Sequence, residues 1–284
     1  MDAPYSLLQQ IDTGIARLLA PNPSAFTFTG TQTYLVGERA VAVIDPGPDA
    51  PEHIEALLRA IAGRPVAAIM CTHTHRDHSP AARLLAEATG APIVGCAALA
   101  LEDVGPRADA AFDGDYRPDR ELTDGESIEF DGRRLTAVAT PGHTSNHLCF
   151  ADEQSGALFT GDHVMGWSTT VVVPPDGDMA DYMASLQKLQ ARADRIYYPA
   201  HGPAVDRPQQ LVRGMLGHRM QRERQILRII GERASPIPDI VSKAYPALDR
   251  RLVLAAGGSV FAHLLDLERR GLVIRAGETW STRV

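Results

Sequence analysis

Four side chains that commonly bind metal ions fall within six residues of this sequence. His73, His75, Asp77 and His78 are spaced His-x-His-x-Asp-His. Imidazole nitrogens and carboxylate oxygens are the donors with which proteins bind zinc and similar ions. The spacing therefore predicts a metal site. The alternative is a polar turn that exposes its histidines.

A buried strand is predicted directly before this cluster. Val66–Met70 is a short apolar run, as expected of a strand inside a parallel sheet. If the chain stays extended beyond it, His73, His75 and Asp77 point to the same side. The neighbouring Cys71 is expected to be a small buried residue.

A helix is predicted directly after the cluster. Ser79 is a suitable N-cap, and Pro80 suits the first helical position. The helix would cover Ala81–Ala88 and end at Gly90, a suitable C-cap. The cluster thus lies where a strand ends and a helix begins, which is a common place for active-site loops.

Three later residues share this context. His143, Asp162 and His201 each follow a β-type run and lie next to a glycine. Glycine permits unusual backbone angles and close approach, which help a loop to turn its ligands inward. Either histidine alone would be read as a turn residue. Together with the first cluster, the three residues indicate one composite site.

At this point the sequence resembles the metallo-β-lactamase superfamily. The motifs THTHRDH, PGHT, GD and PAHGP occur in that order within residues 25–205. The resemblance implies an α/β (α+β) fold, a four-layer αβ/βα sandwich with metals at one edge of its two sheets. It also implies the ligands: His73, His75 and His143 for one metal, Asp77, His78 and His201 for the second, and Asp162 bridging both.

The donor set suits two zinc ions, with manganese or iron as alternatives. Two metals about 3.5–4 Å apart can share a hydroxide, since they lower the pKa of bound water to about 7. The expected reaction is hydrolysis, with that hydroxide as nucleophile. Asp77 is the candidate catalytic residue, because it could orient the hydroxide or relay a proton.

At three positions the sequence departs from the motifs of particular branches of the superfamily, which narrows the choice of branch. Residue 75 is histidine, so the acidic ligand of the di-iron oxygen- or nitric-oxide-reducing relatives is missing. Asp162 stands where the secreted β-lactamases of this fold have cysteine. The loop after Asp162 lacks the Cys-Gly-Arg signature of glyoxalase II, which weakens a glutathione-thioester interpretation.

Four further residues are candidates near the site. His147, His163 and Tyr182 are expected to contact substrate, with a structural role as the alternative for each. Asp45 ends a predicted strand, where it could accept a hydrogen bond from a ligating histidine or simply form a turn.

The remaining elements before residue 205 alternate between strands and helices, which indicates a layered α/β domain. The predicted strands are Thr27–Val36, Ala40–Ile44, Pro92–Val94, Ser127–Phe130, Leu135–Ala139, Leu148–Ala151, Ala157–Thr160 and Arg195–Tyr198. The predicted helices are Pro51–Ile61 and Asp178–Ala193. Asp131-Gly132 predicts a tight hairpin. Asp103–Arg120 is expected to be a polar surface excursion.

The last part of the chain differs in charge. The chain has a net charge of −7, but residues 204–284 contain 14 Lys and Arg against 8 Asp and Glu. Helices over Pro208–Gly231, Pro236–Tyr245 and a segment ending at Gly271 precede a hairpin of Leu272–Arg275 and Thr279–Thr282. This order is that of a winged helix, and it predicts domains 1–205 and 206–284.

The segments TGDHVMG, DYMASLQKL, YYPAHGP and HRMQRERQIL resemble the β-lactamase-like protein 2 subgroup, whose mitochondrial animal member is a single-strand endoribonuclease. That likeness implies RNA phosphodiesters as one substrate class. Small acyl compounds (thioesters, lactones or β-lactams) are the alternative. The winged helix is expected either to bind nucleic acid or to serve docking, including a homodimer. A nucleic-acid-binding regulator with a vestigial metal site is the third hypothesis.

Composition places the protein among globular intracellular chains. Of its 284 residues, 44% are hydrophobic and 22% are charged, enough for a sizeable core. Three cysteines without a CxxC pair fit a reduced compartment. Since neither a secretory signal nor a membrane span is recognised, we expect a cytoplasmic protein.

Overall fold

The computed structural model describes residues 4–99 and 111–283. The strands are β1 (Gln9–Asp12), β2 (Ile15–Leu19), β3 (Gln32–Val36), β4 (Val41–Ile44), β5 (Val66–Cys71), β6 (Ile93–Gly95), β7 (Arg120–Glu121), β8 (Ser127–Phe130), β9 (Arg133–Ala139), β10 (Leu148–Asp152), β11 (Ala157–Gly161), β12 (Ile196–Pro199), β13 (Ser235–Pro236), β14 (Val273–Ala276) and β15 (Thr279–Thr282). The helices are α1 (Pro51–Ile61), α2 (Ala81–Thr89), α3 (Met179–Gln190), α4 (Pro208–Glu232), α5 (Ile237–Ala244) and α6 (Val253–Arg269), with a 3₁₀ turn at Arg250–Leu252.

Two large sheets stack face to face. The first has seven strands in the order β1 to β7, antiparallel up to β4 and parallel from β4 onward. The second has the order β12-β11-β10-β9-β8, in which only β11 and β12 are parallel. Helices α1 and α2 contribute to the core of the first sheet, and α3 packs with the second. The result is the expected four-layer sandwich.

Strand β10 shows why the second sheet needs cover on both faces. Leu148 and Phe150 belong to the core between the sheets, whereas Cys149 and Ala151 belong to the core that includes α3. Successive side chains of a strand point to opposite faces, so this apolar strand buries both faces. All three cysteines of the protein are buried and free, and for Cys71 this burial was expected.

Most predicted elements are confirmed within a residue or two. Asp131 and Gly132 have φ of 49° and 76°, the positive pair that a tight type I′ hairpin turn requires. Gly90 has a φ of 72° and ends α2 in the left-handed conformation.

Two expectations about the elements were wrong, and one pair of strands was missed. The predicted strand at Thr27 begins only at Gln32, because the Oγ of Ser24 accepts the backbone N–H of Thr27 and closes a turn there. Strands β1 and β2 were not predicted. Ser79 does not cap α2, since its Oγ donates to Asp113 at 2.8 Å and Pro80 directly precedes the helix. The predicted excursion at Asp103–Arg120 lies partly outside the described residues.

The C-terminal elements form a winged helix. Helices α5 and α6 pack with the last turns of α4, and β14 and β15 form the wing. Trp280 of the wing is fully buried in this core, against Phe261. No helix in the described part of the chain is long and apolar enough to cross a bilayer.

Helix α4 belongs to both parts of the molecule. Its first half places Val212 and Leu216 in the core that includes α3, and its second half places Ile226 and Ile230 in the winged-helix core. The boundary at residues 205 and 206 stays a prediction. A single helix nevertheless connects the two cores.

Candidate metal centre

Four loops at the ends of strands bring the seven predicted ligands together. His73, His75, Asp77 and His78 follow β5, His143 follows β9, Asp162 follows β11, and His201 follows β12. Since β5 lies in the first sheet and the others lie in the second, the site spans the edge of both sheets. The seven side chains form two groups whose donor atoms converge.

Three imidazole nitrogens converge in the first group. Nδ1 of His75 lies 3.0 Å from Nε2 of His73 and 3.1 Å from Nε2 of His143. Three nitrogens that bind the same zinc ion at about 2.0–2.1 Å in tetrahedral geometry lie roughly 3.3 Å from one another. The spacing therefore fits one bound ion.

The second group joins two histidines and a carboxylate. Oδ2 of Asp77 lies 3.1 Å from Nε2 of His201 and 3.4 Å from Nε2 of His78. These separations again fit three donors around one cation.

Asp162 faces both groups. Its Oδ1 lies 3.2 Å from Nε2 of His201 and 3.5 Å from Nε2 of His78, while its Oδ2 lies 3.6 Å from Nε2 of His143. A carboxylate with one oxygen toward each group is suitably placed to bridge two cations.

Acceptors outside the cluster fix the rings. In four of the histidines Nδ1 contacts an oxygen and leaves Nε2 inward. The contacts are His73 to Oγ1 of Thr72 at 3.1 Å, His78 to Oδ2 of Asp45 at 3.0 Å, His143 to the carbonyl of Val171 at 2.6 Å, and His201 to the carbonyl of Gly30 at 3.2 Å. His75 alone turns Nδ1 inward, and its ring stacks on Phe112.

Asp45 acts on both groups through three hydrogen bonds. Its carboxylate accepts from the backbone N–H and the hydroxyl of Thr72, each at 2.8 Å, and from His78. Because the hydroxyl of Thr72 in turn accepts from His73, one carboxylate orients a histidine of each group. Asp45 also has a φ of 49°, a backbone angle typical of turns, so both roles that were considered for it apply.

Burial and charge set the protonation of these groups. Burial lowers the pKa of His73 and His75 well below the ordinary range, so both are neutral, the form that binds metal. Burial alone would raise the pKa of Asp162. The charges of His201 and His78 together outweigh burial and hold this pKa well below its ordinary value, so the carboxylate is ionised. Burial opposes the protonated form of His201, yet Asp162 and Asp77 raise its pKa to about 10.

Two buried atoms in the centre lie near other ligand side chains but form no hydrogen bond of good geometry with any described residue. They are Nε2 of His78 and Oδ1 of Asp162. Buried polar atoms normally have partners, and exceptions often mark a bound ion. The donor chemistry and these two atoms fit a pair of divalent cations.

The three predicted substrate contacts are buried instead. His147 is 1% exposed, and His163 and Tyr182 are 0% exposed. Nε2 of His147 accepts the backbone N–H of Asp162 at 3.2 Å, so this ring positions the aspartate. The rings of His163 and Tyr182 contact each other at a tilt, with centroids 4.8 Å apart. None of the three is among the side chains that line the cavity at the metal centre, so the burial favours the structural alternative for each.

Gly161 lets β11 approach β5 closely. A Cβ at this position would lie 2.6 Å from Oγ1 of Thr72 and 2.7 Å from Nε2 of His147. Its φ of 48° is also one that side chains disfavour. Glycine is therefore required directly before Asp162.

An open cavity of about 250 Å³ adjoins the centre. Donor side chains of both groups form its floor, including His75, Asp77 and His201. Phe26, Met165 and Val171 add apolar walls. The cavity suits a compact substrate with an apolar portion.

Sequence reasoning missed a connection from α4 to the centre. Arg219, which is 3% exposed, donates a hydrogen bond to the carbonyl of Thr170. The hydroxyl of Thr170 donates to the carbonyl of Asp162 at 2.7 Å. The sequence did contain a signal for the burial of Arg219. This arginine lies on the same face of α4 as the apolar Val212, Met215 and Leu216, which is the face that packs inward.

Comparison with known proteins agrees with this geometry. Residues 26–201 match the sequence profile of the metallo-beta-lactamase superfamily. Residues 237–280 match that of the beta-lactamase associated winged helix domain.

Individual relatives extend over much of the chain. A beta-lactamase-like protein 2 homolog of Caenorhabditis elegans is 32% identical over 94% of this chain and 88% of its own length. An atrochrysone carboxyl ACP thioesterase of Aspergillus fumigatus is 31% identical over 75% of this chain and 64% of its own. The crystal structure of a beta-lactamase domain protein from Burkholderia ambifaria superposes with a TM-score of 0.83, at 19% identity, over 99% of this chain and 96% of the other.

Proposed function

The chain belongs to the metallo-β-lactamase superfamily, and on that premise we propose that it is a di-zinc hydrolase of acyl thioesters or related esters. The observation that supports this most is Asp162, whose two carboxylate oxygens face the two groups of donors separately. One group would consist of His73, His75 and His143, and the other of Asp77, His78 and His201. Two zinc ions bound there would supply Lewis acidity and an activated water at neutral pH.

The side chains of the protein would then have distinct tasks. Asp45 and the carbonyls of Val171 and Gly30 would keep the ligand rings oriented. Asp77 faces the cavity and has a carboxylate able to orient a water or relay a proton. Burial raises its pKa, but the charge of His78 and the hydrogen bond from His201 together outweigh burial and hold the pKa well below its ordinary value, so the carboxylate is ionised.

The walls of the cavity favour an acyl substrate. Phe26, Met165 and Val171 offer apolar contact next to the donor groups, as a hydrocarbon portion beside a carbonyl would need. The thioesterase among the relatives is consistent with this class. Lactones and β-lactams remain narrower variants of the same acyl chemistry.

Cleavage of single-stranded RNA is the second candidate. It is favoured by the winged helix and by the arginines of α4, because basic side chains neutralise phosphates. Against it, Arg76 is the only arginine or lysine on the described wall of the metal-site cavity. A regulator without activity is disfavoured by the seven convergent donors.

One set of parallel assays separates these functions. Purified protein reconstituted with zinc would be offered an S-acyl cysteamine, a lactone, a chromogenic β-lactam and a single-stranded oligoribonucleotide. We expect hydrolysis of the thioester, and loss of that activity in the Asp162→Ala variant. Cleavage of the oligoribonucleotide alone would instead establish the nuclease.

Metal analysis provides the control for this assay. Dialysed protein should contain close to two metal ions per chain, and the identity of the ion distinguishes zinc from manganese or iron. Full activity after chelation to a metal-free, folded state would contradict the proposal.

A further inference from the structure

A second cavity lies beside the metal centre. It has a volume of about 390 Å³ and is bordered by the loop at residues 165–171, by α4 and α6, and by the segment at residues 245–252 between α5 and α6. Phe26, Met165 and Val171 line both this cavity and the one at the metal centre. The two cavities therefore adjoin each other at these three side chains.

The far wall of this second cavity is basic. His218, Arg219 and Arg222 of α4 line it, and no aspartate or glutamate is among the described lining residues. Neither arginine forms an ion pair with a described residue. By contrast, Arg270 of the neighbouring α6 is paired with Glu223 and Asp266, each through contacts of 2.8–2.9 Å.

Four side-chain nitrogens around this cavity have no partner among the described residues. They are the side-chain nitrogens Nε1 of Trp167, Nδ1 of His218, Nε of Arg219 and Nε of Arg222. Arg219 is only 3% exposed, so water does not readily satisfy its guanidinium. A buried cation without a counter-charge is costly, and a bound anion would remove that cost.

Neighbouring groups respond to this uncompensated positive charge. Burial lowers the pKa of His218, and the charges of Arg219 and Arg222 lower it further. The same causes, in the same order, lower the pKa of the buried His263 to about 3. Both imidazoles are therefore neutral at physiological pH.

We propose that this second cavity binds a phosphate group that is part of the substrate, at a distance from the bond that is cleaved. The inference rests on the proposed thioester hydrolase, because it assigns the remote end of that substrate. Two guanidinium groups, an indole N–H and an imidazole offer more donors than the two oxygens of a carboxylate need. They suit the three or four oxygens of a phosphate.

The arrangement defines a substrate class. The acyl carbonyl lies at the donors of the metal centre, the thiol-side arm passes the apolar wall shared by the cavities, and its phosphate meets Arg219 and Arg222. A thioester of a phosphopantetheine-type arm has these parts. Arg222 is already placed for this role, with its guanidinium 3.7 Å above the ring of Tyr245 and Nη1 donating to the carbonyl of Ala244 at 2.6 Å.

A direct binding experiment tests the site without relying on turnover. The S-methyl thioether of 4′-phosphopantetheine and the matching thioether of pantetheine differ only in the phosphate, and neither is hydrolysed. Their affinities for the zinc-loaded protein would be compared by calorimetry. We expect the phosphate to improve binding by about tenfold or more, since charge-assisted hydrogen bonds to arginine are strong.

Variants locate the effect on α4. Arg222→Gln and Arg219→Gln should each remove most of the advantage, whereas Arg224→Gln, an exposed arginine of the same helix, should keep it. Thermal unfolding identifies any variant that fails to fold. The comparison of the two thioethers on the unmodified protein does not depend on any variant. Equal affinity for the two thioethers would overturn the proposal, as would a phosphate advantage that survives in both folded glutamine variants.

Two further outcomes distinguish this proposal from its premise. A dinucleotide monophosphate that binds in an Arg222-dependent manner, when the phosphorylated thioether does not, would overturn the acyl assignment in favour of RNA. Hydrolysis of an S-acyl cysteamine, which contains no phosphate, tests the thioesterase activity separately. Failure there would contradict the proposed function and leave the measured phosphate preference standing.

Discussion

Asp45 accepts a hydrogen bond from Nδ1 of His78 at 3.0 Å, and both side chains are almost fully buried. This contact leaves Nε2 of His78 directed at the carboxylates of Asp77 and Asp162. A buried carboxylate thus determines which nitrogen of the ring is available for a metal.

Asp45→Asn should weaken metal binding by about 10–100-fold. The amide retains only one acceptor oxygen for the three donors that now meet the carboxylate, so His73 and His78 lose orientation. Competition with a chromogenic zinc chelator would measure the change. Asp49→Asn, an exposed aspartate four residues away, is the matched control. Equal zinc affinities for the two variants would show that Asp45 is only a turn residue.

Gly161→Ala should destabilise the protein and displace Asp162. The new methyl group would meet Thr72 and His147, which hydrogen bonds to Asp45 and Thr140 hold in place. Gly156→Ala is the control, because Gly156 also has positive φ (69°) but its nearest contact would be 3.4 Å away. The control should cost about 1–2 kcal/mol of unfolding free energy, and the test variant clearly more. Similar losses in denaturant titrations would refute the steric explanation.

The seven side chains that the structure brings together could be selected from the sequence because their signals are local. His73, His75, Asp77 and His78 are close in sequence, and the later three each follow a strand next to glycine. Strand alternation and loop geometry then determine which way they point. The same local logic found Asp45 and the hairpin at Asp131-Gly132.

What the sequence did not reveal depends on contacts between distant segments. The burial of His163 and Tyr182 follows from the packing of α3 on the second sheet, which no local pattern specifies. Ser79 was predicted to cap α2, but its hydroxyl donates a hydrogen bond to Asp113, which lies 34 residues away in the sequence. Arg219 reaches Thr170 only because α4 lies against the sandwich.

Arg133→Met should lower the free energy of unfolding by about 3–5 kcal/mol. Arg133 is buried with Asp152 at 2.6 Å and also donates to the carbonyl of Thr13, so its loss leaves an unpaired buried carboxylate. The adjacent Arg134→Met removes an exposed ion pair with Glu129 and should cost less than about 1 kcal/mol. Chemical denaturation measures both variants, and equal losses would contradict the burial argument.

His53 should make the protein less stable in acid. Burial lowers its pKa from 6.5 to about 4, so between these pH values the unfolded chain binds a proton that the native state excludes. Stability from this group is complete above pH 6.5 and falls by about 1.4 kcal/mol per pH unit as the pH drops toward 4. In His53→Gln the decline of unfolding free energy between pH 7 and 4.5 should be shallower. Parallel pH profiles would show that His53 is protonated in the native state.

The central claim is that two metal ions share Asp162. Crystals of the zinc-loaded protein, measured with anomalous scattering at the zinc edge, test it most directly. We predict two peaks about 3.5–4 Å apart, one next to His73, His75 and His143 and the other next to Asp77, His78 and His201, with one oxygen of Asp162 on each. A single peak, or two peaks of which only one contacts Asp162, would contradict the account.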